Sequence, residues 1–228
     1  MKPMRGLFVT GTDTGVGKTV VAGAICAALA ARGERVAAFK PVVTGLDDLP
    51  VEGWPADHEL LARAADGPLE RAPEDVAPYR FGPAVSPHYA AELAGVRVDR
   101  DALREAACTA AAGADALICE GVGGLLVPLA DGYSVRDLAT DLALPVVVVA
   151  RTGLGTINHT LLTVESARAA GLHVAGIVMT PWSDPRPIER SNRATVERLA
   201  GIAVATLPPT TPATLADAGA TLPLGDWL

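Results

Sequence analysis

Short runs of apolar, β-branched residues alternate along this chain with longer segments whose apolar positions recur every three to four residues. The first period predicts strands and the second predicts helices. Leu7-Phe8-Val9-Thr10 opens the series as a strand, and Val20 to Ala31 follows as a helix. Arg35 to Phe39, Asp115 to Cys119, Pro145 to Ala150, His173 to Met179 and Ala203 to Leu207 read as further strands. Helices are predicted over Asp57 to Ala65, from Ser86-Pro87, over Asp99 to Ala112, Val135 to Leu142, Ile157 to Ala170 and about Pro187 to Ala200. Ser86, Asp99 and Ser134 stand where helix caps belong, and Pro87 takes a first helical position. Residues 41 to 56 read as loop. Prolines 55, 68, 73, 78, 83 and 87 exclude a regular element between the helix at Asp57 and Ser86, and the tail after Leu207 is again proline-rich.

Strands alternating with helices predict an α/β fold, a mostly parallel sheet with right-handed crossovers and helices on both faces. A chain of 228 residues, 50% of them hydrophobic, suits a single domain with a sizeable core. In such a sheet all strand C-termini share one edge, and ligands bind along it. The residues just past the strand ends are Gly11 to Thr19, Lys40 to Thr44, Glu120 to Gly124, Arg151 to Asn158, Thr180-Pro181 and Pro208-Pro209. They are expected to face one cleft.

Charge and cysteine usage narrow the classes. A net charge of −7 without a basic run argues against a nucleic-acid surface. Cys26, Cys108 and Cys119 are odd in number and lie in apolar runs, which predicts buried free thiols in a reducing compartment. The apolar run near the N-terminus is broken at once by glycines, and Leu142 to Ala150 is far too short for a bilayer, so neither a signal peptide nor a membrane span is expected. The cytoplasm is the expected location.

The glycine segment carries the first chemistry. Thr14-Gly15-Val16-Gly17-Lys18-Thr19-Val20 lies between a strand and a helix, the context of a phosphate-binding loop. Glycines let backbone N–H groups converge on an anion, and a helix N-terminus adds partial positive charge. Lys18 would reach the terminal phosphates, and Thr19 would offer a hydroxyl to Mg²⁺. The usual spacing places a glycine where this chain has Thr12, so the loop is one residue longer. Glu120, at a strand end, can serve as a Mg²⁺ ligand opposite Thr19. Asp57 is either a second ligand or a helix cap. Lys40 either reaches the phosphate in transfer or is a solvated lysine, and Gly153 to Asn158 is either a carboxylate site at a helix start or an ordinary helix entry capped by Thr156. His58, His88, His159 and His173 show no metal-ligand spacing.

Taken together and in order, these motifs resemble the dethiobiotin synthetases of biotin biosynthesis. The resemblance rests on Val9-Thr10-Gly11-Thr12-Asp13-Thr14-Gly15-Val16-Gly17-Lys18-Thr19, Phe39-Lys40-Pro41-Val42-Val43-Thr44-Gly45 and Ser86-Pro87-His88. It continues through Glu120-Gly121-Val122-Gly123-Gly124-Leu125-Leu126-Val127-Pro128-Leu129 and Gly155-Thr156-Ile157-Asn158-His159-Thr160-Leu161-Leu162-Thr163. The longer loop is a mark of that family. What it implies is a P-loop nucleoside triphosphatase fold and an ATP-dependent ring closure. CO₂ carboxylates an amine of 7,8-diaminononanoate, the nucleotide phosphorylates the carbamate, and the neighbouring amine closes the ureido ring.

By the same resemblance, Lys40 is the catalytic lysine and Lys18 holds the terminal phosphates. Thr19, Asp57 and Glu120 are the Mg²⁺ ligands. The nucleotide site extends over Thr14 to Val20, Asp57, Glu120, Gly121, Val122 and Gly123, with Thr180, Pro181, Pro208 and Pro209 towards the base. Thr14, Lys40, Thr44 and Ser86 would meet the diamine. A homodimer is implied, in which Gly155, Thr156, Ile157 and Asn158 bind the substrate carboxylate of the partner's site.

Two positions depart from the family pattern. Adenine-selective members carry an asparagine where this chain has Thr180, and a hydroxyl cannot supply the paired donor and acceptor of an amide, so relaxed base selectivity is expected. Some members place a tyrosine near Ser191-Asn192, and Asn192 is the candidate substitute. Partitioning ATPases, a rival reading, carry a second lysine where Asp13 stands here, and cobyrinate-type amidotransferases need a glutaminase domain that this length does not hold.

Overall fold

A computed structural model of the chain describes residues 4–48, 51–67 and 72–228. Its centre is a sheet whose strands are β1 (Gly6–Gly11), β2 (Val36–Phe39), β5 (Ala116–Gly124), β8 (Val146–Ala150), β9 (Val174–Met179) and β10 (Val204–Thr206). Their spatial order is β10-β9-β8-β1-β5-β2, and every pairing is parallel. The main crossovers run through α1 (Lys18–Ala30), α5 (Arg100–Ala111), α6 (Val135–Leu142), α7 (Thr156–Ala169) and α8 (Pro187–Ala200).

The strands are apolar on both faces because both faces are covered. Leu7 and Val9 enter one buried layer with Ile118, Val147, Val149 and Val178, while Phe8 enters the other with Leu117, Cys119, Val146 and Val148. The period of two thus distributes one continuous hydrophobic run between two cores. Helix α1 is apolar nearly all round, as a helix enclosed between layers must be. One side meets the sheet. The other is covered by α2 (Asp57–Ala64) and α9 (Leu215–Ala220), the latter followed by α10 (Leu224–Trp227).

The region after Leu207 is therefore not an irregular tail. Pro212 and Pro223 sit at helix starts, where the missing N–H costs nothing, and the apolar residues Leu215, Leu222, Leu224 and Trp227 complete the core on this face. The same tolerance explains α3 (Pro73–Val76), a short helix in the segment expected to be irregular. That segment also holds β4 (Tyr79–Arg80), paired parallel with β3 (Val42–Val43), and it leads into α4 (Pro87–Leu93). Its residues 68–71 lie outside the described ones. A small antiparallel pair, β6 (Pro128–Ala130) with β7 (Tyr133–Ser134), follows the glycine turn.

Three local expectations are corrected. Residues 120–124 continue β5 instead of forming a turn after it, pairing Glu120 with Val9 and Gly124 with Gly11 across a register shift. A Cβ at Gly121 would lie 2.8 Å from Val135 Cγ1 and 3.1 Å from Phe8 Cε1, so this glycine serves close packing. Cys108 is exposed, on the outer side of α5, whereas Cys26 and Cys119 are buried; all three thiols are free. Ser134 and Asp99 cap their helices as expected, but Ser86 makes no side-chain cap bond, and Asp57 is the first helical residue behind an Ala56 cap. No helix among the described residues is long and apolar enough to cross a membrane.

The contact between α9 and α1 provides a test of this packing. A Cβ at Gly219 would stand 1.9 Å from the Ala24 carbonyl oxygen, which is backbone and cannot turn aside. We expect Gly219→Ala to lose about 1–3 kcal/mol of stability, seen in urea unfolding as a lower midpoint. An unchanged midpoint would show that α9 does not rest on α1.

Candidate active site

The C-terminal sheet edge opens into a cleft of about 1270 Å³. One wall is the loop between β1 and α1, with Thr14, Gly15, Gly17, Lys18, Thr19 and Val20. The opposite wall carries Thr44, Gly45 and Leu46 and the Ala84 to Pro87 turn, and the floor holds Lys40, Asp57, Glu120, Val122 and Gly123. Gly15 and Gly17 adopt positive φ, the conformation that lets successive N–H groups turn inward. A Cβ at Gly11 would lie 2.8 Å from Val16 Cγ2 and 2.9 Å from Lys18 Cδ, so the loop folds tightly over its own base.

On the cleft floor the sequence separates charges that the fold joins. Lys40, just after β2, donates from Nζ to Asp57 Oδ2 at 2.7 Å and to Glu120 Oε1 at 2.6 Å. The Thr19 hydroxyl donates to the same Glu120 Oε1 at 2.9 Å. Lys40 and Glu120 are buried, while the Asp57 side chain is 46% exposed to the cleft. Burial alone would drive the Lys40 ammonium towards neutrality, but Glu120 and Asp57 reverse this and hold it above its ordinary pKa. Burial pushes the Glu120 carboxyl up against the pull of Lys40. Asp57 titrates low, because Lys40 and Thr19 outweigh its own burial. Lys18 is lowered by burial, with Lys40 adding to the effect against Glu120.

Glu120 Oε2 is buried without a hydrogen-bond partner. Two carboxylates and a hydroxyl beside a phosphate loop are hard oxygen donors, the set that Mg²⁺ takes together with phosphate oxygens. No group of three or more His, Cys, Asp or Glu side chains gathers as a metal cage among the described residues. The residues present fit a magnesium ion shared with a bound phosphate chain.

Matches to known proteins agree with this geometry. An AAA domain family profile matches residues 5–214. A protein of Anaeromyxobacter dehalogenans strain 2CP-1, named ATP-dependent dethiobiotin synthetase BioD, is 50% identical over 187 residues, 80% of each chain. The protein of that name from Bacillus subtilis strain 168 is 37% identical over 202 residues, 88% of this chain and 85% of its own. The chain belongs to the dethiobiotin synthetase family.

Dethiobiotin synthetases are ligases that form carbon–nitrogen bonds, and membership places this enzyme in ATP-dependent dethiobiotin synthesis. Among solved structures, the septum site-determining protein MinD of Pyrococcus horikoshii OT3, complexed with Mg-ADP, superposes with a TM-score of 0.55 at 15% identity. That match covers 96% of this chain and 93% of MinD. A ParA family ATPase from Chlorobium tepidum TLS gives 0.53 at 11% identity, covering 96% and 92%. At these identities the likeness is one of fold, and it shows the P-loop α/β architecture.

The synthetase fold does not bring every expected residue to the cleft wall. Thr14, Gly15, Gly17 to Val20, Lys40, Thr44, Asp57, Ser86, Glu120, Val122 and Gly123 line it. Val16 is buried beneath the loop and Gly121 is packed against Phe8 and Val135. Thr180 is buried with its methyl group directed at Gly17, and Pro181, Pro208 and Pro209 lie on exposed surface outside this wall. Gly155 to Asn158, at the start of α7, do not line this cleft, and Thr156 is occupied by a bond to the Arg151 carbonyl at 2.6 Å. Asn192, the expected substrate contact, is buried and donates to the Thr152 and Gly153 carbonyls at 2.9 and 3.1 Å.

The fold gives two further residues surroundings that their sequence positions do not show. Arg151 bridges to Asp13 Oδ2 at 2.9 Å, while the Asp13 carbonyl accepts Lys18 Nζ at 2.8 Å, so the phosphate loop is tied to the entrance of α7. His58 lines the cleft beside Asp57 with a buried, unpartnered Nδ1. Nothing in the sequence spacing marks the Arg151–Asp13 bridge.

Asn192 offers the clearest structural check. Removing its amide with Asn192→Ala leaves two carbonyls of the 151–155 loop without their donor, at a cost of about 1–3 kcal/mol. We expect faster amide hydrogen exchange from Gly153 to Ile157; unchanged exchange there would mean that Asn192 does not hold the loop.

Proposed function

We propose that this dethiobiotin synthetase carboxylates 7,8-diaminononanoate with CO₂, phosphorylates the carbamate with a nucleoside triphosphate and closes the ureido ring. The observation that carries this reading is the buried Lys40 ammonium at the junction of a phosphate loop and a second, non-nucleotide wall. A carbamate is a poor electrophile. Transfer of the terminal phosphoryl group to its oxygen creates a mixed anhydride and releases the nucleoside diphosphate. The neighbouring amine then forms the second C–N bond, gives up a proton, and inorganic phosphate leaves.

In this sequence the chain acts by position and charge. Backbone N–H groups from Thr14 to Thr19 hold the phosphates, and Lys18 exchanges the Asp13 carbonyl for a terminal phosphate oxygen. Lys40 faces the carbamate oxygens and the phosphoryl group in transfer. Thr44 and Ser86, on the opposite wall, orient the diamine. Thr19, Asp57 and Glu120 hold Mg²⁺, which when bound neutralises charge on the phosphate oxygens during transfer. The start of α7, with free N–H groups, suits the substrate carboxylate. Because that segment lies outside the cleft of its own chain, it serves the neighbouring site of a homodimer.

Base recognition is the second part of the reading. Thr180 carries no amide, and its side chain is buried against Gly17. An adenine edge therefore finds no paired donor and acceptor at this position, and other nucleoside triphosphates should be used as well.

Incubation with the diamine, labelled bicarbonate, Mg²⁺ and each nucleotide in turn tests both parts. We expect labelled dethiobiotin with ATP, CTP and GTP at comparable rates. No product with any nucleotide would overturn the reaction, and a strong ATP preference would overturn only the base reading. Lys40→Ala should lower kcat roughly 100-fold or more while diamine still binds; near wild-type turnover would remove Lys40 from the chemistry.

A further inference from the structure

The oxygens that fit Mg²⁺ also hold a cation of the chain itself. Lys40 Nζ sits between Asp57 Oδ2 and Glu120 Oε1, at 2.7 and 2.6 Å, and Thr19 Oγ1 shares the same Glu120 oxygen at 2.9 Å. An ammonium and a magnesium ion compete for such a place, since each bonds the same lone pairs and like charges repel at this separation. We propose that the Lys40 ammonium is an internal counter-ion for the oxygens that would ligate the metal, and that metal arrival and release of Lys40 towards the reacting groups are one exchange.

This rests on Thr19, Asp57 and Glu120 being the metal ligands. Its physical content is a reciprocal coupling: whatever Lys40 contributes to holding the two carboxylates is lost to a divalent ion that needs them. Glu120 is buried and cannot exchange its partner for bulk water, so without metal it keeps the lysine. Free Mg²⁺ should therefore bind weakly by itself and tightly with a nucleotide, whose phosphates add ligands and accept Lys18. The catalytic ammonium then becomes available only when the metal is in place, which separates carboxylation-site chemistry from an unloaded phosphate loop. Two of the three lysines in the chain, Lys18 and Lys40, belong to this site, and the third is Lys2.

The exchange can be read without turnover. Mn²⁺ binding, followed by electron paramagnetic resonance in the absence of nucleotide, should be roughly 10- to 100-fold tighter in Lys40→Met than in wild type. Lys40→Arg, which retains a cation, should stay near the wild-type value. Equal or weaker Mn²⁺ binding by Lys40→Met would overturn the proposal. Because that variant leaves buried carboxylates unpaired and can unfold, wild-type protein supplies an independent measurement. With three lysines, the side-chain ammonium resonance of Lys40 is resolvable by NMR, and saturating Mg²⁺ should displace it. A resonance that stays in place while the metal binds would equally overturn the exchange. Dethiobiotin formation by wild type alongside either negative result would leave the reaction standing and remove only the exchange.

Discussion

The Lys40 ammonium, clasped between Asp57 and Glu120, is the interaction on which the site depends. Three separate elements must arrive together to make it: the end of β2, the first turn of α2 and the middle of β5. Each charged group would be costly to bury by itself, and their mutual contact is what makes burial tolerable. Apolar packing beneath supplies the rigidity. Ile118, Phe39 and Leu61 are fully buried around these elements, so the three charges are held by strands and a helix instead of by loops.

Around this centre the cleft has two kinds of wall, the phosphate loop and a second wall without phosphate-loop character. The phosphate loop is preorganised by left-handed glycines and by the strand beneath it. The Thr44 to Leu46 and Ala84 to Pro87 wall adjoins the segment after α2, which carries the short elements α3 and β4 and the start of α4. Arg151 ties the phosphate loop in another direction, to the start of α7. The pair with Asp13 is half exposed and contributes little to stability; its effect is to fix where Asp13 presents its carbonyl to Lys18.

Several errors of sequence reading share one cause. Glu120 was expected past a strand end because glycines follow it, yet Gly121 to Gly124 extend the strand, since a residue without a side chain can pass Phe8 and Val135. The tail after Leu207 read only as proline-rich, with no helix assigned to it, yet a proline at a helix start loses nothing, and α9 and α10 complete the core. Cys108 lies in an alanine-rich run, and only the docking of α5 through Leu103, Ala107 and Ala110 decides that the thiol points outward. Nothing in the sequence around Asn192 shows that its amide donates to two carbonyls about forty residues earlier in the chain.

By itself the sequence determined the alternation of strands and helices, the phosphate loop, the family and the identity of the charged residues at the strand ends. These are local properties: periodicity, glycine placement and side-chain chemistry are written over a few neighbouring positions. Tertiary structure decided which of those residues meet. Lys40 and Glu120 are eighty positions apart, and Thr19 and Glu120 more than a hundred, so their contact follows from strand order β1-β5-β2 and from nothing in their own surroundings. The same long-range packing buried Thr180, turned Asn192 towards the Thr152 and Gly153 carbonyls and set Lys40 between Asp57 and Glu120.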